Sequence, residues 1–307
     1  MDFSTHIGGG LTIRNPVMMA SGTIGHGAEY EGMFDFARIG GVVTKTITYH
    51  PRAGNSAPRT AETPSGMLNS IGLTNPGLDA FIAEKVPPLQ ALPTARIVSI
   101  AGTSNDEFAE MARRFNDIPN VDALELNISS PNMKDGGQLF GCREQAAHDV
   151  AAAVKAASRL PVIVKLTPNV TDIAAVAAAV EEGGADGIAL INTLLGLAVD
   201  AGTRRPVLGN ITGGLSGPAI KPVALAMVWR VADTVSIPIV GMGGIATARD
   251  AIEFLIVGAS AVQIGTTTFI NPWAALEIVD GIAEYCRSHG IGRISDLVGS
   301  FETGPRN

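Results

Sequence analysis

Two lysines stand in otherwise apolar segments of this 307-residue chain. Lys45 lies in the apolar run 41–46, and Lys165 lies in the run 161–166. Burying an unpaired ammonium group is costly, so each lysine requires an anionic or acceptor-rich partner. An internal ion pair is one solution, and Glu125, two residues before Asn127, is a candidate carboxylate. We favour contacts with a bound ligand, because no Asp or Glu stands at the end of another apolar run.

Glycines follow two of the later apolar runs. The segment Gly241-Met242-Gly243-Gly244 ends the run 237–241, and Gly265-Thr266 ends the run 259–265. Glycine lets the backbone approach an anion closely, and main-chain N–H groups at a short helix N-terminus bind phosphate. A single motif of this kind often marks only a turn. Two of them after consecutive runs, together with the lysines, indicate a cofactor that carries a phosphate.

Several asparagines also lie at the ends of apolar runs or in the long segment after the second run. They are Asn69, Asn127, Asn132 and Asn192. An amide side chain offers both donors and acceptors without charge. A single asparagine in a loop is usually a turn residue. Four that converge on one ligand would suit a planar ring with alternating N–H and C=O groups.

The elements that must position these residues alternate regularly along the chain. Eight short runs are apolar on both faces, as expected of parallel strands buried between two layers. They are residues 16–20, 41–46, 95–101, 121–128, 161–166, 185–192, 237–241 and 259–265. Amphipathic segments that predict helices lie between them at 106–115, 144–159, 172–182, 219–234 and 247–255, with a closing helix at 273–288. This pattern predicts an α/β fold, the (β/α)8 TIM barrel.

In such a barrel the functional residues gather at the carboxyl ends of the strands. Residues 48–74 are polar and rich in Pro and Gly, which predicts an elaborated loop after the second strand, on the active-site side. Residues 5–14 predict a small N-terminal hairpin under the barrel. We expect residues 1–307 to form a single domain.

Composition and charge exclude several classes of function. The net charge of −7 and the pI near 5.3 argue against a nucleic-acid partner or an anionic membrane surface. Two cysteines are too few for a disulfide framework or an iron–sulfur cluster, and the five histidines show no ligand spacing, so we expect no metal. No apolar stretch is long enough to span a bilayer, and the first residues do not resemble a signal peptide. These features predict a cytoplasmic protein.

Four motifs resemble the dihydroorotate dehydrogenase family. They are Asn127-Ile128-Ser129-Ser130-Pro131-Asn132, Asn69-Ser70-Ile71-Gly72-Leu73-Thr74-Asn75, Ile191-Asn192-Thr193 and Thr212-Gly213-Gly214-Leu215-Ser216-Gly217-Pro218-Ala219. The similarity extends from about Thr12 to beyond Phe269, and segments 165–170 and 210–222 look most like the class 1B catalytic subunit. The family's fold is a TIM barrel that binds one FMN, in agreement with the strand count above.

The resemblance implies roles for individual residues. FMN would contact Ser21, Lys45, Thr46, Ser99, Asn127, Lys165, Ile191 and Gly217, with its phosphate on Gly243, Gly244, Gly265 and Thr266. Dihydroorotate would contact Lys45, Asn69, Ser70, Ile71, Gly72, Leu73, Asn127, Asn132, Asn192 and Thr193. The backbone N–H groups of loop 69–73 and Lys45 would meet its carboxylate.

The implied reaction is oxidation of dihydroorotate to orotate in pyrimidine (UMP) biosynthesis. A base removes the proton from C5, and a hydride passes from C6 to flavin N5. Lys165 would stabilise negative charge on the reduced flavin, as a preorganised cation does. The family also leaves two alternatives: a related oxidoreductase acting on a dihydrouracil-like substrate, or a non-catalytic FMN-binding barrel. Loop 69–73 favours dihydroorotate over the dihydrouracil-like substrate, because its backbone donors make sense mainly with a carboxylate.

The chain departs from the class 1B pattern at the base. That class uses a cysteine, whereas this chain has Ser130, as in the membrane-associated class 2 enzymes. A thiol ionises near a pKa of about 8.5. A hydroxyl is a weaker base and needs an acceptor or a water relay for its proton. A natural serine variant, an engineered change and altered chemistry all remain open, as does a purely structural role for the hydroxyl. We expect Cys142 to pack against its neighbours and not to replace this base.

Class 1B enzymes pass electrons to a separate subunit that carries FAD and a [2Fe–2S] cluster, and then to NAD. This chain has no dinucleotide fingerprint and too few cysteines for a cluster. The resemblance therefore implies a second polypeptide, in a heterotetramer built on a catalytic homodimer.

Overall fold

A computed structural model describes residues 1–129 and 140–304. Its strands, in chain order, are β1 (Thr5–His6), β2 (Thr12–Ile13), β3 (Val17–Met19), β4 (Gly41–Val43), β5 (Ile47–Thr48), β6 (Thr60–Thr63), β7 (Gly66–Asn69), β8 (Ala95–Ala101), β9 (Ala123–Asn127), β10 (Val162–Lys165), β11 (Gly187–Leu190), β12 (Leu194–Leu197), β13 (Val199–Asp200), β14 (Arg205–Pro206), β15 (Thr212–Ser216), β16 (Ile239–Met242) and β17 (Ala261–Ile264). Its α-helices are α1 (Leu78–Glu84), α2 (Val86–Gln90), α3 (Asn105–Phe115), α4 (Glu144–Ala157), α5 (Ile173–Glu182), α6 (Lys221–Ala232), α7 (Ala248–Ile256) and α8 (Ala274–Ser288).

Eight of these strands form the barrel. The hydrogen-bonded order is β4, β3, β17, β16, β11, β10, β9 and β8, and the parallel pairing of β4 with β8 closes the cylinder. Each of the eight predicted apolar runs overlaps one barrel strand, so the predicted (β/α)8 barrel is confirmed. The first unit is irregular, because only short 3-10 turns lie between β3 and β4.

The barrel interior is layered. Successive side chains of a strand point to opposite faces, so alternate residues point into the cylinder. Met18, Ile97 and Ile163 belong to an apolar cluster inside it. On four of the strands the next inward-facing position toward the carboxyl end is polar or charged, and these residues are Ser99, Glu125, Lys165 and Gln263. An apolar lower layer therefore supports a polar layer beneath the mouth of the barrel.

The helices pack around the outside of the barrel. Val98, Val162 and Val164 point outward into the large apolar cluster shared with the helices. Several helices begin at a side-chain N-cap, such as Thr247, which forms a reciprocal capping box with Asp250 at the start of α7. All the helices predicted between strands are present, and α1 and α2 add two more after the long loop.

Residues before the barrel form the predicted hairpin. β1 pairs with β2 in antiparallel register, and Ile7 and Ile13 join the apolar cluster inside the barrel. Gly8 has φ +120°, and a Cβ there would collide with the Asp186 carbonyl. Only glycine permits this contact, so the hairpin closes the lower end of the barrel.

The predicted loop after the second strand is elaborated into a hairpin. β6 and β7 join β15 and β12 in a four-stranded antiparallel sheet, in the order β12, β15, β7, β6. In that sheet Asn69 pairs with Gly214, and Leu215 pairs with Leu194. Two loops, one after the second barrel strand and one after β11, therefore meet at one place. Within the described residues, no helix is both long enough and apolar enough to span a membrane.

Candidate active site

A cavity of about 340 Å³ opens at the carboxyl ends of the barrel strands. This volume lies in the range of roughly 300–1,000 Å³ typical of small-molecule sites. The polar layer of the barrel contributes Lys165 and Gln263, and the antiparallel sheet contributes Asn69 and Gly214. The cavity therefore lies where the barrel fold predicts an active site.

Most of the predicted site residues line this one cavity. Those predicted for the cofactor are Ser21, Lys45, Thr46, Asn127, Lys165, Ile191, Gly217, Gly243, Gly244, Gly265 and Thr266. Those predicted for the substrate alone are Asn69, Ile71, Gly72, Leu73, Asn192 and Thr193. Ser99 and Ser70 do not line it. Ser130 and Asn132 lie outside the described residues.

Ser99 lies behind the cavity wall. Its hydroxyl is 2.9 Å from the Thr46 hydroxyl, and Ser99 is fully buried. Thr46 in turn accepts a hydrogen bond from the Asn127 amide at 3.2 Å and lies 3.3 Å from the Ser21 hydroxyl. Ser99 thus orients residues that line the cavity, and it is placed to act through Thr46.

Ser70 holds the loop that carries Asn69. It is buried, and its Oγ accepts a hydrogen bond from Asn55 Nδ2 at 2.8 Å. Its main-chain N–H donates to the Arg59 carbonyl at 2.7 Å. These contacts fix the start of loop 69–73, and the neighbouring residues of that loop reach the cavity.

The ends of β16 and β17 form a glycine-lined cradle. Gly243 and Gly244 have φ of +122° and +77°, which disfavour any residue with a side chain. A Cβ on Gly244 would lie 2.7 Å from the Lys221 main-chain nitrogen and 2.9 Å from the Gly217 carbonyl oxygen. The glycine therefore allows the segment after β16 to pack directly against the start of α6.

The turn after β17 completes this cradle. Gly265 precedes the 3-10 turn Thr266–Phe269, and the Thr266 hydroxyl is 2.8 Å from the Ser216 hydroxyl. No Asp or Glu is among the described residues that line the cavity. A site that binds an anion such as phosphate needs main-chain N–H groups that the anion can approach closely, and hydroxyl groups but no carboxylate beside them. The cradle has these properties.

Lys45 is a cation without a carboxylate partner among the described residues. Partial burial lowers the pKa of its ammonium group, and the positive charge of Arg59 lowers it further. The Arg59 guanidinium is held by main-chain carbonyls of Asn55 and Ala53 at 2.6 and 3.0 Å. The Lys45 ammonium is thus free to meet an anionic group in the cavity.

Lys165 forms an ion pair inside the barrel. Its ammonium lies 3.7 Å from Glu125 Oε1, and the side chains are 7% and 1% exposed. This is the internal ion pair, yet Lys165 also lines the cavity. Gln263, which sequence reasoning missed, donates its amide to Glu125 Oε2 at 2.8 Å. The sequence signal that could have identified Gln263 is its polar side chain at an inward-facing position of an otherwise apolar strand.

Three of the four predicted asparagines converge on the cavity. Asn192 Nδ2 lies 3.5 Å from Asn127 Oδ1, and Asn69 Nδ2 lies 3.5 Å from the Gly214 carbonyl. Both distances are at the outer limit of hydrogen bonding, so these amides retain donors for a ligand. The arrangement fits the planar, hydrogen-bonding ring that the sequence predicts.

Other lining residues were not predicted. They include Gly22, Thr23, Met67, Gly214, Ser216, Met242, Thr267 and Phe269. Met67, Gly214 and Ser216 come from β7 and β15, whose pairing has no local sequence signal. A Cβ on Gly214 would collide with the Thr193 side chain, so this glycine is required for the sheet to approach the barrel.

Two further expectations concern cysteine and metal. The prediction that Cys142 packs is wrong, because the turn Phe140–Cys142 leaves it exposed. Across residues 1–129 and 140–304, no three His, Cys, Asp or Glu side chains are grouped so that they could hold a metal ion.

Comparison with known proteins gives consistent results across nearly the full chain. The family model "Dihydroorotate dehydrogenase" matches residues 5–286. Proteins named "Dihydroorotate dehydrogenase B (NAD(+)), catalytic subunit" are 54% identical in Pelobacter propionicus and 53% identical in Porphyromonas gingivalis. The alignments cover 95% and 96% of this chain, and 96% of each relative. The crystal structure of DHODH in complex with ferulenol from Eimeria tenella matches with a TM-score of 0.80 at 25% identity, over 97% of this chain and 88% of that one. The chain therefore belongs to the dihydroorotate dehydrogenase family.

Proposed function

We propose that this chain is the catalytic subunit of a class 1B dihydroorotate dehydrogenase, which oxidises dihydroorotate to orotate in pyrimidine biosynthesis. One observation carries the proposal. A single cavity unites two lysine ammonium groups, three converging amides and a glycine-lined cradle at the mouth of the barrel. The names of the relatives that match over nearly their whole length agree with it.

FMN is the cofactor that these residues fit. Its phosphate would be held in the cradle of Gly243, Gly244, Gly265 and Thr266, where backbone N–H groups and hydroxyls meet without a carboxylate. Ser21, Thr46, Asn127, Lys165, Ile191 and Gly217 would contact the remainder, with Ser99 acting through Thr46. When bound, FMN supplies a two-electron acceptor, which no side chain of this chain provides.

The substrate carboxylate would be bound by Lys45 and loop 69–73. Lys45 has no ion-pair partner among the described residues, so its charge is available. The loop is preorganised, because Gly72 at φ +75° packs so closely on Asn55 that a Cβ would lie 2.6 Å from the Asn55 nitrogen. Asn127 and Asn192 would orient the ring through its amide groups. Together these contacts would hold the reacting carbons in one position.

Lys165 would stabilise negative charge during the reaction. Its ammonium is almost fully buried in the polar layer and faces the cavity. A fixed cation in a poorly hydrated site stabilises developing charge more strongly than one in water, because no solvent must reorganise.

We propose Ser130 as the base for the C5 proton. This assignment rests on the sequence motif alone, because Ser130 lies outside the described residues. Its neighbour Ser129 donates its hydroxyl to the Lys165 carbonyl at 2.9 Å. Where the chain is described again, the Gly141 N–H donates to the Ile128 carbonyl at 3.0 Å. The described residues Ser129 and Gly141 therefore lie at the carboxyl end of β9, and Ser129 contacts the main chain of Lys165.

The electrons are proposed to leave through a second protein. The relatives are named catalytic subunits of NAD(+)-dependent enzymes, which implies a partner subunit. We propose a homodimer of this chain within a heterotetramer whose other subunit carries FAD and a [2Fe–2S] cluster, in the cytoplasm. Exposed apolar side chains offer contact surfaces, including Phe269, Ile270 and Trp273 after β17, and Phe269 also lines the cavity. Light scattering of the purified chain alone and with the partner tests this assembly.

Anaerobic reduction tests the proposed reaction. The purified chain is saturated with FMN, and dihydroorotate is added while the flavin absorbance is followed. Bleaching is expected with dihydroorotate and not with dihydrouracil, because only the former has the carboxylate that Lys45 and loop 69–73 would bind. Equal rates with the two substrates would contradict the assignment of substrate. No bleaching in fully flavinated protein would contradict catalysis altogether.

A further inference from the structure

The strongest unexplained feature lies in the polar layer of the barrel, at Glu125. This carboxylate is fully buried inside β9, and only one of its oxygens has a hydrogen-bond partner. The other oxygen, Oε1, has none and faces the Lys165 ammonium at 3.7 Å. Burying a carboxylate away from water costs free energy unless an opposite charge compensates for it. The buried position of Glu125 therefore requires an explanation.

Gln263 fixes the orientation of this carboxylate. A carboxylate can only accept hydrogen bonds, so the amide group of Gln263 must present its nitrogen to Glu125. The observed contact is between Nε2 and Oε2, and the amide oxygen of Gln263 is left without a partner. With Oε2 engaged by a fully buried strand residue on β17, Oε1 is held toward Lys165 on β10.

The Lys165 ammonium keeps its donors free. It forms no hydrogen bond to any residue that the structure describes, and 3.7 Å is too long for one to Glu125. The only other charged group lining the described part of the cavity is Lys45. The charge of Lys165 is therefore balanced by Glu125, while its N–H groups remain available to a ligand in the cavity.

We propose that Glu125 is a positioning residue that acts through Lys165. It holds a permanent countercharge beneath the ammonium, so that Lys165 stays in place as a fixed cation facing the cavity, and Gln263 anchors Glu125. This inference deepens the proposed function and rests on it where the rate of flavin reduction is concerned. The ion pair itself is a property of the chain without any ligand.

A double-mutant cycle tests whether Glu125 acts through Lys165. The rate of anaerobic flavin reduction by dihydroorotate is measured at saturating FMN in the parent, Glu125→Gln, Lys165→Met and the double variant. We expect Glu125→Gln to slow reduction about tenfold in the parent and less than about twofold beside Lys165→Met. A residue with only a structural role would slow reduction by the same factor in both backgrounds, and that result would overturn the proposal.

A matched control removes a different ion pair from the barrel. Lys155 and Asp186 form a partly buried pair with an N–O distance of 2.6 Å, far from the cavity and close to the N-terminal hairpin. Asp186→Asn is expected to lower stability without changing the rate of flavin reduction. A rate loss as large as that of Glu125→Gln would show that the rate reports stability alone, against the proposal.

Unfolding of the flavin-free chain provides a readout independent of activity. Glu125→Gln leaves a buried ammonium without its countercharge, whereas the double variant leaves no charge. We expect Glu125→Gln to lower the thermal midpoint by about 5 °C or more, and the double variant to recover most of that loss. If Glu125→Gln does not fold, a folded double variant supports the pair and an unfolded one overturns it. A parent that dihydroorotate fails to reduce would refute the proposed function, while these midpoints would still decide the pair.

Discussion

The glycine cradle makes the sharpest prediction, because one added methyl group tests it. In Gly244→Ala the new Cβ would lie 2.7 Å from the Lys221 nitrogen and 2.9 Å from the Gly217 carbonyl oxygen, where ordinary contacts begin at 3.4 Å. Both neighbours are backbone atoms, so the start of α6 and the segment after β16 must separate by about half an ångström or more. Binding groups need to be held within about 0.5 Å of their productive positions. The change is therefore large enough to disturb an anion site.

The energetic cost has two parts that a control separates. Gly244 has φ +77°, and placing a side-chain-bearing residue there costs about 1–2 kcal/mol of stability. Gly10 has φ +83° with no atom within 4 Å of its added Cβ, so Gly10→Ala shows this backbone cost alone. Gly244→Ala carries the same cost and adds the displacement of the cradle. Loss of flavin affinity beyond that of the control thus reports the cradle.

The assay is equilibrium binding of FMN to the flavin-free chain, with thermal unfolding measured in parallel. We expect Gly244→Ala to raise the dissociation constant at least about tenfold, which corresponds to about 1.4 kcal/mol. Gly10→Ala should leave it unchanged. If Gly244→Ala binds FMN within twofold of the parent while its unfolding midpoint falls as in the control, the phosphate is not held in this cradle.

Four other changes probe the remaining assignments. Ser130→Ala is expected to abolish flavin reduction by dihydroorotate while FMN stays bound, and near-parental rates would remove its role as base. Lys165→Met should slow reduction and weaken flavin retention, and unchanged behaviour in both would refute the charge role. The lowered pKa of Lys45 predicts that dihydroorotate affinity falls as pH rises through that pKa, and Lys45→Met should bind weakly with no such dependence in titrations across pH. Burial lowers the pKa of His26, so the unfolded chain binds the proton more readily than the folded chain. The free energy of unfolding should therefore decrease as pH falls below about 6.5. Urea unfolding of His26→Leu at several pH values should show a smaller decrease.

Several parts of the site are local enough to be read from the sequence. The barrel strands are short apolar runs bounded by turn residues, and hydrophobic burial on both faces leaves few alternatives. Once the barrel is recognised, the polar residues at the strand ends must share one mouth, which is why Lys45, Asn127 and Lys165 were predicted together and line one cavity. The glycines after β16 and β17 were found for the same reason.

Other features depend on contacts between distant segments. The pairing of β7 with β15 brings Asn69 to Gly214, and it is set by register and packing across the barrel mouth, which no local pattern encodes. The family resemblance assigned Ser99 and Ser70 to the site, but the structure places both behind its walls, in hydrogen bonds to Thr46 and Asn55.

The sequence by itself determined the barrel, the end of it that carries the site, and most of the residue types found there, because these follow from burial and strand periodicity. Only the tertiary structure decided which polar groups become partners. Glu125, Lys165 and Gln263 lie on three different strands, and they meet because closure of the cylinder turns all three side chains inward. The interaction between charged side chains depends on the distance between them, and for residues far apart in the sequence only the folded structure sets that distance.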